Sequence, residues 1–544
     1  MKNYLGVDVG TGSARAGLFD GAGCLLGAGT VEIETFRPAP DFAQQSSADI
    51  WRAVCGAVRA ALEEAGVTGN EVAGIGFDAT CSLVVSGREG ALVTISPDGA
   101  AEQDVVLWMD HRALEDAVEI NAIGGAPLEY VGGTISPEME LPKLRWLKRE
   151  MPESWAKAHR FWDLPDWLVH RATGEETRSL CSTVCKWSYL GHKGQNGEGW
   201  DDGFLRAIGL DDLTESDHVA IGKTHAAPGK YCGSLGAAAA QDMGLVPGIA
   251  VAASMIDAHA GAVGTLGLSL AEEDITRRLA MIAGTSTCHI GLSHAAIFVP
   301  GVWGPYYGVV LDEYWALEGG QSAAGALIDA VISRHSAATA LAEHAKSNGQ
   351  RVTDVLDAEL AKMGPDTHLL SVHRHVQPDF HGNRSPLAEP WRRGGLDGLT
   401  LDGGIKDLAL DYLATVQALA YGTRQILEAM RAKGANFDTL VVSGGLAKNA
   451  LYLREHADAT GCRILVPDQP EPVLLGAAML GAAAAGDFNN LPAAMAAMSG
   501  KGSTVMPRGG AVAAYHNQKY QVFQRMQADH AAYRAIMNTQ ETSQ

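Results

Sequence analysis

The sequence is short of basic residues and of charge in general. Its 544 residues include 42 Lys and Arg against 63 Asp and Glu, which gives a formal charge of −21. This balance argues against a general binder of nucleic acid or of anionic membranes, because both require a basic face. An anionic ligand would therefore be held locally, by backbone N–H groups or by a bound metal ion.

Long apolar runs and paired cysteine motifs are also missing. The uncharged stretch 472–486 is short and rich in Gly and Ala, and the N-terminus reaches Asp8 before an apolar signal core can form. Among the eight cysteines, Cys181 and Cys185 lie four residues apart, which favours packing on a helix over a disulfide or a zinc site. We therefore expect a cytoplasmic protein with reduced thiols and no membrane or nucleic-acid partner.

The composition and length indicate a folded protein of several domains. Hydrophobic residues make up 47% and charged residues 19% of the chain, which excludes a disordered polypeptide. At about 100–200 residues per domain, 544 residues predict two or more domains. No low-complexity linker separates them, so we expect two halves that share a tight cleft, with a border near 260–270.

Two strand–turn–strand units open the two halves of the chain. The first turn is Gly-Thr-Gly-Ser at 10–13, between predicted strands 4–9 and 14–19. The second is Gly-Thr-Ser-Thr at 284–287, between predicted strands 279–283 and 288–292. The repeat suggests a duplicated architecture, and a chance likeness between two hairpins is the alternative.

Apolar periodicity predicts the other elements on which the functional interpretation depends. The predicted helices are 50–65, 141–150, 407–433, a helix from about 449, and 473–485, with an amphipathic segment at 162–170. The predicted strands are 72–77, 105–108, 439–443 and 463–466, and a turn-rich stretch at 499–510 precedes a polar helical tail.

Asp8 ends the first strand beside the hydroxyls and amides of the first turn. A carboxylate in this position can hold Mg²⁺, directly or through water, while the amides of Thr11, Gly12 and Ser13 meet phosphate oxygens. An ordinary hairpin with a polar strand residue is the alternative, because such turns are common.

The second half contains two further glycine-containing turns. Gly284, Thr285 and Ser286 repeat the first arrangement, so two such turns facing each other could hold a triphosphate between the domains. Gly444 and Gly445 join a strand to a helix, where a phosphate or a flat ring could approach the backbone. A tight strand-to-helix connection that needs glycine for packing explains Gly444 and Gly445 equally well.

Asp257 is the strongest single candidate. It lies in a small, apolar, Gly- and Ala-rich stretch at the predicted domain border, where burial of a charge costs several kcal/mol unless the charge is paired or used. A carboxylate there could accept a proton from a hydroxyl that attacks a phosphoryl group. Capping of a helix that starts at Ala258 is the alternative.

Three other patterns do not support a function. Residues 500–504 resemble the end of a P-loop but lack its spaced glycine and its Lys-[Ser/Thr] step, and no G-x-G-x-x-G follows a strand. His368, His373 and His375 have no carboxylate or Cys nearby in the sequence, which favours a solvated loop over a metal site.

Taken in order, these motifs resemble the FGGY carbohydrate kinases, which belong with actin, hexokinase and the heat-shock chaperone ATPases. The likeness covers roughly residues 3–490. It rests on eight segments in the family's order: 6–11, 107–112, 142–146, 257–259, 283–286, 317–320, 443–449 and 475–478. The resemblance implies an α/β protein with two ribonuclease-H-like domains and a cleft between them. The implied domains are 1–262, which binds sugar and carries the first phosphate loop, 263–495, which binds ATP, and a helical tail at 496–544 packed on both.

The resemblance also implies roles for individual residues. Asp257 matches the catalytic base, and Asp8 matches the acid associated with Mg²⁺. The positions that match the phosphate and adenosine motifs are Thr11, Gly12, Ser13, Gly284, Thr285, Ser286, Gly444, Gly445 and Asn449. The implied cofactors are ATP and Mg²⁺.

The sugar is indicated by four segments. Residues 77–82 differ from the corresponding motifs of glycerol kinases and xylulokinases, whereas 284–289 and 318–323 resemble ribulokinases and 379–386 resembles the D-ribulokinase-like branch. The implied substrate-binding residues are Asp78, Glu138, Lys186, Asp257 and Glu318. For Glu138 and Lys186, ordinary surface charge is the alternative.

We therefore expect an ATP-dependent kinase that converts D-ribulose into D-ribulose 5-phosphate. An L-ribulokinase or another polyol kinase of the same family is the first alternative. An actin-like nucleotide-binding module without sugar chemistry is the alternative from another class. Dimers are common in the family, so a homodimer is a further expectation that no residue of this sequence supports by itself.

Overall fold

Two mixed sheets, one in each half of the chain, organise this computed structural model, which describes residues 2–268 and 274–538. The strands of the first half are β1 (Asn3–Val9), β2 (Ser13–Asp20), β3 (Leu25–Glu32), β4 (Gln44–Gln45), β5 (Val72–Ala79), β6 (Leu83–Ser86), β7 (Val105–Val106), β8 (Arg160–Asp163), β9 (Arg178–Ser179), β10 (His225–Ala226), β11 (Tyr231–Ser234), β12 (Ala250–Ala252) and β13 (Met255–Ile256). Its helices are α1 (Ser47–Ala65), α2 (Leu114–Ile123), α3 (Glu140–Glu150), α4 (Pro152–Lys157), α5 (Leu164–Thr173), α6 (Leu180–Lys186), α7 (Asp202–Ala207), α8 (Ala237–Met243) and α9 (Asp257–Leu266).

The second half repeats the alternation of strands and helices. Its strands are β14 (Arg278–Ala283), β15 (Thr287–Ser293), β16 (Trp303–Tyr307), β17 (Trp315–Gln321), β18 (His375–Gln377), β19 (Gly395–Asp397), β20 (Thr439–Ser443), β21 (Arg463–Pro467) and β22 (Gly502–Val505). Its helices are α10 (Gly325–Arg334), α11 (Ala338–Ser347), α12 (Val352–Met363), α13 (Ile405–Arg431), α14 (Ala450–Thr460), α15 (Pro472–Ala484), α16 (Leu491–Met498) and α17 (Ala511–Asn538).

The two large sheets share one topology. The first has the strand order β11-β12-β5-β1-β2-β3. The second has the order β22-β21-β20-β14-β15-β17-β16, with β16 as one additional strand. In both, the hairpin strands pair antiparallel, the next two neighbours pair parallel, and an antiparallel strand closes the edge. The repeated hairpins thus belong to a duplicated α/β fold, as the resemblance predicts.

Helices α9 and α15 connect the two halves. Helix α15 packs on β1 and β5 of the first sheet, whereas α9 contacts β14 and β20 of the second, and the two helices pack against each other. Their close approach depends on glycine: a Cβ on Gly476 would lie 1.9 Å from the carbonyl oxygen of Ala260, and one on Gly264 would lie 1.9 Å from that of Pro472. The halves are therefore joined by a tightly packed helix pair.

The structure departs from the predicted segments at the domain border and at 162–170. The border predicted at 262/263 falls inside the continuous helix α9, and residues 269–273 at the end of the border region lie outside the described residues, as do Met1 and 539–544. The predicted amphipathic segment 162–170 divides into the end of β8 and most of α5, because the chain passes from the sheet into a helix at Leu164 and Pro165.

The segment after 495 is not wholly helical. Residues 502–505 form β22, which pairs antiparallel with β21, so the P-loop-like stretch is an edge strand. Helix α17 then packs on α13, α14 and β18, all in the second half. None of the helices within the described residues has the length and apolarity needed to span a membrane.

Candidate active site

Three aspartates lie where neighbouring strands of the first sheet end. Asp8 on β1 is in parallel register with Asp78 on β5, and β13, also paired with β5, leads directly into Asp257 at the start of α9. Because carboxyl ends of parallel strands meet at one edge of a sheet, the fold gathers these acids although they are far apart in the sequence.

Asp257 is the least buried of the three. Its Oδ1 accepts a hydrogen bond from the Ala258 amide at 2.7 Å, but Asp257 is the first residue of α9 and Ile256 is the N-cap, so the capping alternative is not the arrangement found. Burial, followed by the negative charge of Asp8, raises the pKa of Asp257 to about 6. Such a carboxylate is ionised at neutral pH and basic enough to take part in proton transfer.

Asp8 is paired across the first hairpin. Its Oδ2 accepts hydrogen bonds from Nε and Nη2 of Arg15 at 2.9 and 2.5 Å, and Nη1 of Arg15 binds Glu471, which precedes α15, at 2.9 Å. The guanidinium therefore links the first strand pair to the interdomain helix and partly neutralises the acidic cluster.

Asp78 has no exposed surface, and neither of its carboxylate oxygens has a hydrogen-bond partner among the described protein groups. Burial, with the charges of Asp8 and Asp257, raises its pKa well above the ordinary value. The side chain of Asp78 is thus buried in this conformation, and the sugar-binding role that the resemblance implies for it stays a prediction.

Three hydrogen bonds fix the conformation of the first turn. Gly10 N donates to Ser13 O at 3.0 Å, Gln45 Nε2 donates to Thr11 O at 2.7 Å, and Trp108 Nε1 donates to Thr11 Oγ1 at 3.1 Å. The amides of Thr11 and Gly12 donate to no acceptor in the described part of the chain. They remain available to an anionic ligand.

The second turn repeats this arrangement. Gly284 N donates to Ser286 O at 2.9 Å, and its own carbonyl accepts from the Gly325 amide at 3.0 Å. Gly444 lies beside it: with φ at 90° and a would-be Cβ 2.5 Å from Ala283 O, this position requires glycine. Gly445 has open space around it and is exposed, so a ligand could approach its backbone.

Asn449 has a structural role in this conformation. Its Oδ1 accepts from the Tyr452 amide at 3.0 Å at the start of α14, and its Nδ2 donates to the Tyr412 hydroxyl at 2.6 Å. Because both polar atoms of this buried side chain already have partners, it fixes the loop beside Gly444 and Gly445.

Charged side chains surround the indole of Trp303 on β16, and we name this group of residues the polar pocket. Nζ of Lys186 lies 4.7 Å from the ring centroid, and the guanidinium carbon of Arg384 lies 4.3 Å from it. Arg384 also forms an ion pair with Oε1 of Glu318, which is on β17, and approaches Sγ of Cys288 at 3.7 Å. The pocket therefore holds two cations against a buried carboxylate.

Glu138 completes the charged set. Its Oε1 lies 3.7 Å from Nε2 of His111, and its pKa is lowered by His111, Lys186 and Arg384, which outweigh burial. Burial opposes the charge on Lys186, but Cys81, Glu318 and Glu138 together raise the pKa of Lys186 above its ordinary value. The surface-charge alternative is therefore wrong for Lys186, whose side chain is buried.

Asp257 borders both regions. Its charge helps to raise the pKa of Asp78. Across the domain border, the same charge, together with burial and Glu318, raises the pKa of Cys288, which lies on β15 directly after the second turn. Thr265 on the same helix donates to the Ser443 hydroxyl at 3.1 Å, directly before Gly444. Helix α9 thus brings the acid, the second turn and the Gly-Gly loop together.

Sequence reasoning missed Arg384, Trp303 and His111 as site residues. Arg384 belongs to the 379–386 segment that indicated a D-ribulokinase-like sugar, so the signal was present without a role. Trp303 gives no signal, because an aromatic residue in a strand is usually part of a core.

Two models of one family match the chain. That of the N-terminal domain of the FGGY family of carbohydrate kinases matches residues 3–264, and that of its C-terminal domain matches 279–485. This chain belongs to the FGGY family of carbohydrate kinases. It is therefore an enzyme, a sugar kinase that uses ATP, and the actin-like module without sugar chemistry is set aside.

Relatives span the whole FGGY chain. An FGGY carbohydrate kinase domain-containing protein of Homo sapiens is 45% identical to this chain, over 99% of this chain and 98% of the relative. A D-ribulokinase of Saccharomyces cerevisiae is 42% identical, over 90% of this chain and 72% of the relative. The crystal structure of a xylulose kinase from Rhodospirillum rubrum superposes with a TM-score of 0.80 over 98% of this chain and 99% of that one, at 18% identity. The two-domain fold predicted from the sequence is confirmed.

Proposed function

We propose that this FGGY kinase phosphorylates D-ribulose on its terminal hydroxyl to give D-ribulose 5-phosphate. The observation that carries the proposal is the position of Arg384, which lies in the 379–386 segment typical of the D-ribulokinase-like branch and pairs with Glu318 in the polar pocket. The 42% identity to a D-ribulokinase over 90% of the chain supports the same sugar.

The pocket suits a small neutral polyol. Lys186 and Arg384 are donors, while Glu138 and Glu318 are acceptors held ionised by those cations. A site built from such groups rejects a sugar that lacks one hydroxyl, since a buried charge would lose its partner. The indole of Trp303 keeps both cations in place and offers an apolar face to the carbon chain.

In this proposal Asp257 is the general base. The sugar hydroxyl binds at Asp257, whose carboxylate orients it and accepts its proton as the oxygen attacks the γ-phosphoryl group of ATP. The amides of Thr11 and Gly12 and of the second turn bind phosphate oxygens, with Ser13, Gly284, Thr285 and Ser286 around them. Gly444 and Gly445 lie against the adenosine, and Asn449 fixes their loop. Domain closure on the α9–α15 pair excludes water.

Mg²⁺ fits the acidic cluster. The ion usually takes one or two carboxylates together with waters and substrate phosphates, and here Asp8 lies beside the two unpartnered oxygens of Asp78. Asp8 would hold the Mg²⁺ ion, and Asp78 would lie next to Asp8 on the neighbouring strand. When bound, Mg²⁺ neutralises charge on the phosphates of ATP.

A panel of acceptors tests the proposal. ADP release would be measured with ATP and Mg²⁺ for D-ribulose, L-ribulose, D-xylulose, ribitol and glycerol, and the phosphorylated carbon identified by NMR. We expect the highest kcat/KM for D-ribulose, with phosphate on carbon 5. Preference for L-ribulose would favour the ribulokinase alternative, and preference for glycerol or D-xylulose would overturn the assignment.

We also propose a cytoplasmic homodimer. The eight cysteines are all free thiols, which suits a reducing compartment, and nothing in the charge or hydropathy suggests a membrane partner. Light scattering coupled to gel filtration measures the assembly, and a mass of one chain would contradict the dimer.

A further inference from the structure

Three metal-ligating side chains meet beneath the sugar pocket. Cys181 and Cys185 occupy one face of α6, four residues apart, and face His259 in the first turn of α9. Their sulfur and ring nitrogen atoms all lie within 4.8 Å of one another, and all three side chains are buried. Sequence spacing favoured packing for the two cysteines, because it could not place a histidine from another helix beside them.

Two separations between candidate ligand atoms match those of a tetrahedral site. Sγ of Cys185 lies 3.7 Å from Nε2 of His259, and Oε2 of Glu318 lies 3.8 Å from the same nitrogen. Metal–ligand bonds of about 2.0–2.3 Å in a tetrahedron place neighbouring ligand atoms about 3.3–3.8 Å apart. Glu318 pairs with Arg384 through its other oxygen, so Oε2 faces the cluster.

Surrounding groups are also those of a thiolate site. The Ile256 amide donates to Sγ of Cys181 at 3.4 Å, the kind of contact that steadies a metal-bound sulfur. Nδ1 of His259 is buried without a hydrogen-bond partner among the described residues. Two thiolates, one carboxylate and a divalent cation carry a net charge of −1, which would face the nearby cations Lys186 and Arg384.

The other candidate clusters in the described part of the chain are already neutralised. The group of His335, Asp407 and Asp411 is paired with Arg374. In the group of Glu455, Asp458 and His516, Arg508 binds Asp458 at 2.7 Å and Gln417 binds Glu455 at 2.9 Å. In the cluster beneath the pocket the two sulfurs and the imidazole are soft donors without an arginine partner among the described residues, and only Oε1 of Glu318 is paired, with Arg384.

We propose that Cys181, Cys185 and His259, with Oε2 of Glu318, form a binding site for Zn²⁺ or another thiophilic divalent cation. Each thiol gives its proton to solvent as its sulfur binds the metal. Because the proposed function uses Glu318 to bind sugar, metal and sugar compete for this carboxylate. The site thus makes the kinase sensitive to inhibition by free zinc.

Cadmium absorption tests the site without substrates. Reduced, metal-free enzyme is titrated with Cd²⁺, and thiolate-to-metal charge transfer is followed in the near ultraviolet. We expect one equivalent to bind to the wild type and to Cys232→Ser, which removes a buried thiol outside the cluster. We expect the band to be lost in Cys181→Ser/Cys185→Ser and shifted in His259→Gln. No band in the wild type, or an unchanged band in the double variant, would overturn the site.

Kinetics test the competition. Zn²⁺ should raise the KM for the sugar at least tenfold at saturation of the site and leave kcat unchanged, and the double cysteine variant should lose this effect. Sugar phosphorylation without a cadmium band would reject the metal site alone. A cadmium band in an enzyme that phosphorylates no pentulose would reject the proposed function and leave the site standing. Thermal melting reports whether each variant folds.

Discussion

Glu318 and Arg384 form an ion pair between β17 and a loop 66 residues further along the chain. The carboxylate also faces His259 through its second oxygen, at 3.8 Å from Nε2. One buried acid therefore joins the sugar pocket to the cysteine–histidine cluster. The contacts of Glu318 with Arg384 and His259 therefore both bear on the stability of the pocket.

Breaking this pair should destabilise the protein. Arg384→Met removes the ion-pair partner of the buried Glu318 carboxylate, which we expect to cost about 3–5 kcal/mol of unfolding free energy and to raise the KM for the sugar more than tenfold. Urea unfolding and steady-state kinetics measure the two effects. In Arg384→Met/Glu318→Gln we expect stability to return within about 1–2 kcal/mol of the wild type while the KM stays high. A double variant no more stable than the single one would contradict the pairing.

Removal of the proposed base should separate chemistry from binding. Asp257→Asn keeps the size of the side chain but cannot accept the proton, so we expect kcat to fall by about 10²–10⁴-fold. The affinity for ADP, measured by calorimetry, should stay within threefold. Asp98→Asn, at an exposed position, is the matched control and should behave as the wild type. A fully active Asp257→Asn enzyme would refute the assignment.

The raised pKa of Asp257 predicts an acid limb in the pH profile. The active form is the carboxylate, and burial with the charge of Asp8 raises its pKa to about 6. We therefore expect kcat/KM for the sugar to fall about tenfold per unit below about pH 6 and to level off above it. Measurement across about pH 5 to 8 tests this, with stability checked at each pH. A limb centred near pH 4, typical of an exposed aspartate, would contradict the buried environment.

The interdomain helices should tolerate no added methyl group at their contact. A Cβ on Gly476 would lie 1.9 Å from the Ala260 carbonyl oxygen, so Gly476→Ala must push α15 away from α9. We expect a loss of about 1–3 kcal/mol in unfolding free energy, measured with urea. Gly21→Ala, where nothing lies within 4 Å, should change stability by less than about 0.5 kcal/mol. Equal stability of the two variants would show that the helices can separate without cost.

Local patterns were sufficient for several elements. The strand at 439–443 was predicted with the limits that the structure has, because a β-branched run lies between a turn and Gly444. The segment 162–170 is predicted as a single amphipathic segment, but Trp162 belongs to β8 and Trp167 to α5, and the sequence pattern does not mark the change at Leu164. The strand at 502–505 was missed because β22 is exposed and polar, and it exists through pairing with β21.

The sequence by itself determined the two glycine-threonine turns, the acid at the domain border and the family, because each depends on residues that are close together in the chain. Only the tertiary structure decided that Asp78 is buried beside Asp8, that Arg384 reaches Glu318 and Trp303, and that His259 lies beside Cys181 and Cys185. The physical reason is that strand register and helix packing join distant segments, and no local period encodes which side chains then meet.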